Sequence, residues 1–239
     1  MIEPTTGPGV HVWWLGQSGF LIGCGGRHLL VDPYLSDSLT AKYEGTATPH
    51  VRLRPRVVAP EELSFVDVVL STHGHGDHLD GETLRAVGAP LVAPARIVEL
   101  ARERSGVAVT PISEGETVEA GGFRVTAVPA VHPGDHCVGY VIEAGGRRFY
   151  HSGDTTWLDP GVCGVDVAFL PINGKLNNLD GAEAARLSRL VEAELAVPCH
   201  YDMFEFNTAD PAAFAAECER LAQAYRVLGL GERLSLPLR

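Results

Sequence analysis

The stretch Thr72-His73-Gly74-His75-Gly76-Asp77-His78-Leu79-Asp80, THGHGDHLD, holds three of the ten histidines in the chain. It follows the continuous apolar run VDVVLS, Val66 to Ser71, which reads as a strand covered on both faces. In a turn leaving such a strand, side chains at alternate positions can face one way. His73 and His75 therefore point at one metal ion, and Asp77 with His78 reaches toward a second. Neutral imidazole and carboxylate suit zinc, manganese and iron. So dense a spacing leaves little room for the alternative, a histidine-rich surface turn.

Further ligands are expected at other strand ends, where scaffolds hold their chemistry. VPAVHPG puts His132 after a strand, YHSGDTT puts Asp154 after another, and VPCHYDMF puts His200 after a third. His136, four residues past His132, competes with it; His132 is preferred because it directly follows the strand.

The rest of the chain reads as strands, then helices, then strands, then helices, which implies two packed sheets with helices outside. Short apolar runs broken by glycines at Val10–Leu15, Phe20–Cys24 and His28–Asp32 predict a meander, with Trp13 and Trp14 as strand residues. Residues 33–63 predict a long loop. Helical spacing recurs near Gly81 and over Ala95–Arg104. Strands are expected near Val107 and over 123–130, 138–144, 147–152 and 165–172. An amphipathic helix is expected over Gly181–Leu195, a short strand over Ala196–His200, and a helix over Asp210–Tyr225 with Asp210 as cap and Pro211 in the first turn. No linker breaks the pattern, so one domain over 1–239 is expected.

Composition narrows the function. A net charge of −11 repels phosphate backbones, so no nucleic-acid partner is expected. No apolar run approaches the ~18 residues of a membrane span and the N-terminus carries no leader pattern, which makes the cytoplasm the default location. Five scattered cysteines form no CxxC pair, and most are read as small buried hydrophobes.

Read together, WWLGQSGFLI, VDPYLSDS, STHGHGDHLD, FYHSGDT, LPING and VPCHYDMFEFN resemble the metallo-β-lactamase superfamily over nearly the whole chain, and within it the branch of L-ascorbate-6-phosphate lactonase and related metal-dependent hydrolases. The resemblance implies an α/β (α+β) fold, the four-layer αββα sandwich with two internally similar halves, and a two-metal site at one edge of the sheets. It implies that His73, His75 and His132 hold one divalent ion, that Asp77, His78 and His200 hold the other, and that Asp154 bridges them. Zinc, manganese and iron(II) are all compatible; the lactonase resemblance favours manganese and the histidine content favours zinc. The reaction implied is hydrolysis by a metal-bound hydroxide, opening a lactone or cleaving an ester of a small anionic or sugar-like substrate, with Asp77 or Asp154 orienting the nucleophile or taking its proton.

Around this centre, Asp32 is either a hydrogen-bond partner of a ligand histidine or a cap of the turn before Pro33. His151, Asn173, Lys175 and Tyr201 are candidate substrate contacts, each with a plainer role as a strand-end, turn or packing residue. The RLRPR run, Arg52, Arg54 and Arg56, binds an anion, contacts another subunit in a homo-oligomer, or is a solvated loop. Competing activities on the same framework are a phosphodiesterase, a redox enzyme and a non-hydrolytic metal-binding protein. The second position of the motif is His75 where the redox branch carries Glu, and no flavodoxin-like segment follows. An antibiotic-degrading β-lactamase fits poorly, because Asp77 and His78 stand at the second site with no cysteine ligand.

Overall fold

The computed structural model describes residues 2–132 and 136–239. Two mixed sheets pack face to face. The first has the strand order β13-β1-β2-β3-β4-β5-β6 and the second β12-β11-β10-β9-β8-β7.

Strands β1 (Val10–Gly16), β2 (Gly19–Cys24) and β3 (Arg27–Val31) form the expected antiparallel meander, joined by tight turns. From β3 the sheet continues in parallel through β4 (Val68–Leu70), β5 (Leu91–Pro94) and β6 (Val109–Ile112). The second sheet repeats the plan. Strands β7 (Thr117–Ala120), β8 (Phe123–Pro129), β9 (Val138–Ala144) and β10 (Arg147–His151) are antiparallel, and β11 (Val167–Pro171) and β12 (Leu195–Cys199) follow in parallel. The last strand, β13 (Arg233–Leu236), pairs with β1.

The period of two along each strand explains the layers. Val12, Trp14, Phe20, Ile22, Leu29, Val31 and Leu70 join Val125, Tyr140, Ile142 and Phe149 in the core between the sheets. Their neighbours Trp13, Leu15, Leu21, Leu30 and Val69 point the other way, onto Leu84 of α2 (Gly81–Val87) and Ala101 of α3 (Val98–Ser105). The outer face of the second sheet is covered by α4 (Gly181–Leu190) and α5 (Ala212–Arg220), through Leu187 and Phe214. This is the αββα sandwich.

Several boundaries differ from the sequence reading. Helix α4 opens with a capping box between Asp180 and Glu183 but stops at Leu190 rather than Leu195. Glu192 turns into the left-handed region at φ 51°, and Leu195 pairs with Val167 as β12 begins. The apolar pattern runs on because Val191 and Ala193 stay buried in that turn. The short strands β7 and β13 were not expected; both lie at sheet edges with few buried positions. The long loop 33–63 carries one short helix, α1 (Ser38–Lys42), and a 3₁₀ turn at Pro60–Leu63. Of the cysteines, only Cys199 and Cys218 are buried, and Cys163 is exposed. Among the described residues no helix is long and apolar enough to cross a membrane.

Strand directions decide where the chemistry collects. Because β8 and β10 flank the antiparallel β9, they run the same way, and β12 runs with them. The chain therefore leaves β8, β10 and β12 at one edge, shortly before His132, Asp154 and His200. The two sheets are joined at this edge: Tyr140 donates its hydroxyl to the Ser71 carbonyl at 2.8 Å, and the Val138 amide donates to Thr72 O at 3.0 Å.

Candidate metal centre

The loop after β4 is held from behind by Asp32, which is fully buried with a φ of 45°. Its carboxylate accepts from the Thr72 amide at 2.7 Å and the Thr72 hydroxyl at 2.6 Å, and meets His78 Nδ1 at 2.8 Å. Nδ1 of His78 is the donor in this contact, which leaves Nε2 turned toward the cluster. The loop then makes one helical turn, with the amides of His78 and Leu79 both bonded to the His75 carbonyl. Asp80 closes it, accepting from Ser36, Ser38 and Thr83.

The other strand ends meet this loop. His132 is placed by ties between its neighbour Val131 and Thr155 and Thr156. Asp154 follows Gly153, whose φ is 61° and whose α-carbon leaves no room for a side chain: a Cβ would stand 2.8 Å from Thr72 Cβ. His200 adopts φ 60° and gives its amide to Gln17 O at 2.9 Å.

Three overlapping groups of ligand atoms result, each drawn within 4.8 Å: His73, His75 and His132; His73, His78 and Asp154; Asp77, His78 and His200. Asp154 Oδ1 lies 3.4 Å from His78 Nε2 and 3.3 Å from His200 Nε2. Asp77 Oδ2 lies 3.7 and 3.6 Å from the same two nitrogens. His136 is in none of these groups.

Electrostatics fit divalent cations. His78 Nε2, His132 Nδ1 and Asp154 Oδ1 are buried with no hydrogen-bond partner, a costly arrangement unless something coordinates there. Burial pushes the Asp154 carboxyl up, but His200 and His78 hold it well below the usual carboxylate range. Burial and the adjacent His78 push His73 well below the usual histidine range, leaving a neutral imidazole. Burial works against charge on His78, yet Asp154, Asp77 and Asp32 hold it well above that range. The carboxylates that draw a proton there would equally draw a cation.

Comparison with known proteins agrees with this geometry. The family model described as "Beta-lactamase superfamily domain" matches residues 27–201. The chain belongs to the metallo-β-lactamase superfamily. It is 34% identical over 218 residues to a UPF0173 metal-dependent hydrolase of Thermoplasma acidophilum, covering 85% of this chain and 88% of the relative. It is 33% identical over 230 residues to one of Methanopyrus kandleri, covering 89% and 93%. Igni18, a metallo hydrolase of Ignicoccus hospitalis, shares the fold with a TM-score of 0.73 at 25% identity, covering 96% of this chain and 99% of that one. The protein is a metal-dependent hydrolase of the superfamily.

In this metallo-β-lactamase-fold protein the cluster opens into a cleft of about 410 Å³ that includes His75, Asp77, His132, Asp154 and His200 in its lining. The four residues expected to touch substrate are placed differently. His151 is only 1% exposed and both ring nitrogens face backbone, Nε2 toward Ser18 O at 2.9 Å and Nδ1 toward the Gly153 amide at 3.1 Å. It braces the turn before Asp154 and does not line the cleft. Tyr201 is buried against Trp14, ring centroids 4.7 Å apart, and lines a separate cavity of about 450 Å³ with Arg52 and Arg54. It does not line the cleft beside the cluster. Asn173 donates to Asn207 at 2.8 Å, and it is Asn207 that reaches the cleft. Lys175 donates to Phe206 O at 3.0 Å, fastening the loop of Leu176 and Asn177, which do line the cleft. The basic RLRPR run is largely neutralised: Arg52 and Arg56 pair with Asp37, and Arg54 pairs with Asp202.

Sequence reasoning missed Gln17. Its side-chain nitrogen donates to Asp77 Oδ2 at 2.7 Å and lies 3.2 Å from His200 Nε2. The only signal was a Gln17-Ser18 pair between two glycines in an otherwise apolar hairpin. Also missed were Arg104, which donates to Gly74 O at 2.5 Å, and the aromatic residues of the cleft wall.

Proposed function

We propose that this metal-dependent hydrolase works with two divalent cations per chain and opens a lactone or cleaves an ester of a small anionic substrate. One cation would be held by His73, His75 and His132, the other by Asp77, His78 and His200, with Asp154 between them. The observation that carries this reading is the overlap of the three ligand groups, in which His73 and His78 each belong to two. Bound cations would lower the pKa of water to near ~7 and polarise the carbonyl under attack. No serine or cysteine nucleophile is then required.

The chain's own groups do the rest. Asp77 borders the cleft with its carboxylate anchored by Gln17, and Asp154 lies beside it. Both carboxyls are held below their ordinary range despite burial, by His78 and His200, so each is ionised at neutral pH and can orient the attacking water by accepting a hydrogen bond from it. Asp32 keeps His78 Nε2 turned to the cluster, and His151 and Gly153 set the position of Asp154.

The test is to strip the purified protein with a chelator, refill it with Zn²⁺ or Mn²⁺, and count metal per chain alongside a screen of lactones, carboxylic esters, phosphodiesters and phosphomonoesters. Saturation near two equivalents, with turnover of lactones or esters only after refilling, is expected. Saturation at one equivalent removes the dinuclear reading, and turnover confined to phosphoesters removes the substrate class.

A further inference from the structure

One wall of the cleft is aromatic. Tyr43, directly after α1, stacks on His50 with ring centroids 4.1 Å apart and planes at 19°. His50 meets Phe204 at 4.8 Å and Phe206 at 4.7 Å, so the four rings form one contiguous surface. The wall is built in advance. Arg52 bridges to Phe204, the Leu53 amide donates to Met203 O at 2.9 Å, and Thr40 donates to the His50 carbonyl at 2.5 Å. Tyr43, His50 and Phe206 are only partly buried, which leaves ring surface to the cleft.

Two cations border the same cleft. Lys42 is exposed, its ammonium 5.1 Å from the centre of the Tyr43 ring. Arg104 spends one guanidinium nitrogen on Gly74 O. Among the described residues neither forms an ion pair with a carboxylate, although the chain carries a net charge of −11. A smaller hollow of about 220 Å³ shares Lys42 and Arg104 with the cleft and adds Arg85. Unneutralised cations beside an aromatic wall recognise a molecule with a flat ring and a negative group.

We propose that the substrate carries a planar ring, which lies against Tyr43, His50 and Phe206, and an anionic group, which Lys42 and Arg104 hold at the mouth of the metal centre. This rests on the hydrolytic reading above and narrows its substrate to ring-bearing anions. The cleft, at about 410 Å³, has room for such a molecule.

The experiment is calorimetric titration of the metal-loaded protein with phenylphosphonate and methylphosphonate, which share a headgroup and differ in the ring. Phenylphosphonate is expected to bind at least ~tenfold more tightly. Phe206→Ala should cut that preference to below about threefold, since the ring-on-ring contact is lost. Lys42→Ala, at an exposed side chain, should weaken both ligands about threefold at unchanged metal content, and Lys42→Ala with Arg104→Gln about tenfold or more when compared at equal metal occupancy. Equal affinity for the two phosphonates, or a preference that survives Phe206→Ala, overturns the ring site. Affinities indifferent to Lys42 and Arg104 overturn the anion site. Hydrolysis is scored separately: ring-selective binding without turnover of any ester or lactone sinks the hydrolytic reading alone, and turnover without ring selectivity sinks this one alone.

Discussion

The carboxylate of Asp32 and the imidazole of His78 meet at 2.8 Å with both side chains fully shielded from water. Asp32→Asn tests what that contact does. The amide has one acceptor oxygen where the carboxylate had two, and Thr72 and His78 together present three donors. If the amide nitrogen faces His78, Nδ1 must accept and the proton moves to Nε2, the atom aimed at the cluster. If the amide is turned round, its nitrogen faces the Thr72 amide. Metal affinity should fall roughly 10- to 100-fold, as for other losses of a ligand's supporting hydrogen bond. A competition titration against a fluorescent chelator reads this, and unchanged affinity would show that His78 is oriented by other means.

Asp154→Asn keeps the shape of the side chain and removes its charge. With Asp154 Oδ1 within 3.4 Å of His78 Nε2 and 3.3 Å of His200 Nε2, loss of that charge should lower occupancy of both metal positions and reduce kcat by several orders of magnitude, on the order of 10³ or more. Elemental analysis beside steady-state kinetics checks it. A variant with two equivalents of metal and near-normal turnover would remove the bridging role.

His132→Ala and His136→Ala form a pair. His132 shares a ligand group with His73 and His75, and His136 does not. Metal content and activity should collapse in the first variant and stay near wild type in the second. The opposite pattern would transfer the ligand role to His136.

Gly153→Ala should destabilise the protein by about 2–5 kcal/mol, since it combines a left-handed backbone with overpacking against Thr72. Thermal denaturation of the metal-free and metal-loaded forms is the measurement. A loss below about 1 kcal/mol would mean that the two strand ends can move apart at little cost.

Cation removal should itself lower the melting temperature. The candidate ligands come from the loop after β4 in one sheet and from the ends of β8, β10 and β12 in the other, so a bound ion ties the two sheets. At 100 times its Kd each ion contributes about 2.7 kcal/mol, or roughly 5–10 °C for a chain of this size. Equal melting temperatures with and without chelator would show that no ion binds the folded state preferentially.

The metal cluster was legible because its chemistry is written locally: three histidines and an aspartate within six residues, placed directly after a buried strand. The meander was legible from glycine-broken apolar runs. What escaped were features that depend on distant packing. Gln17 reaches Asp77 and His200 across 60 and 183 residues. The aromatic wall is assembled from residues 43–50 and 204–206, and no local pattern links them. Tyr201 adjoins His200 and His151 stands three residues before Asp154, and both are buried, because a residue near a strand end can face either way.

The pairing of β13 with β1 joins Leu236 to Val10, so the sheet that the first strand begins is finished only by the last. Arg147 donates to Pro237 O and the Arg239 amide donates to Gly145 O, which fastens the same terminal segment to the second sheet. During synthesis, therefore, the N-terminal half leaves the ribosome with one flank of β1 unpaired, and that flank stays open until Arg233–Leu236 has emerged. A nascent or truncated chain carries an uncapped edge that invites pairing with another copy.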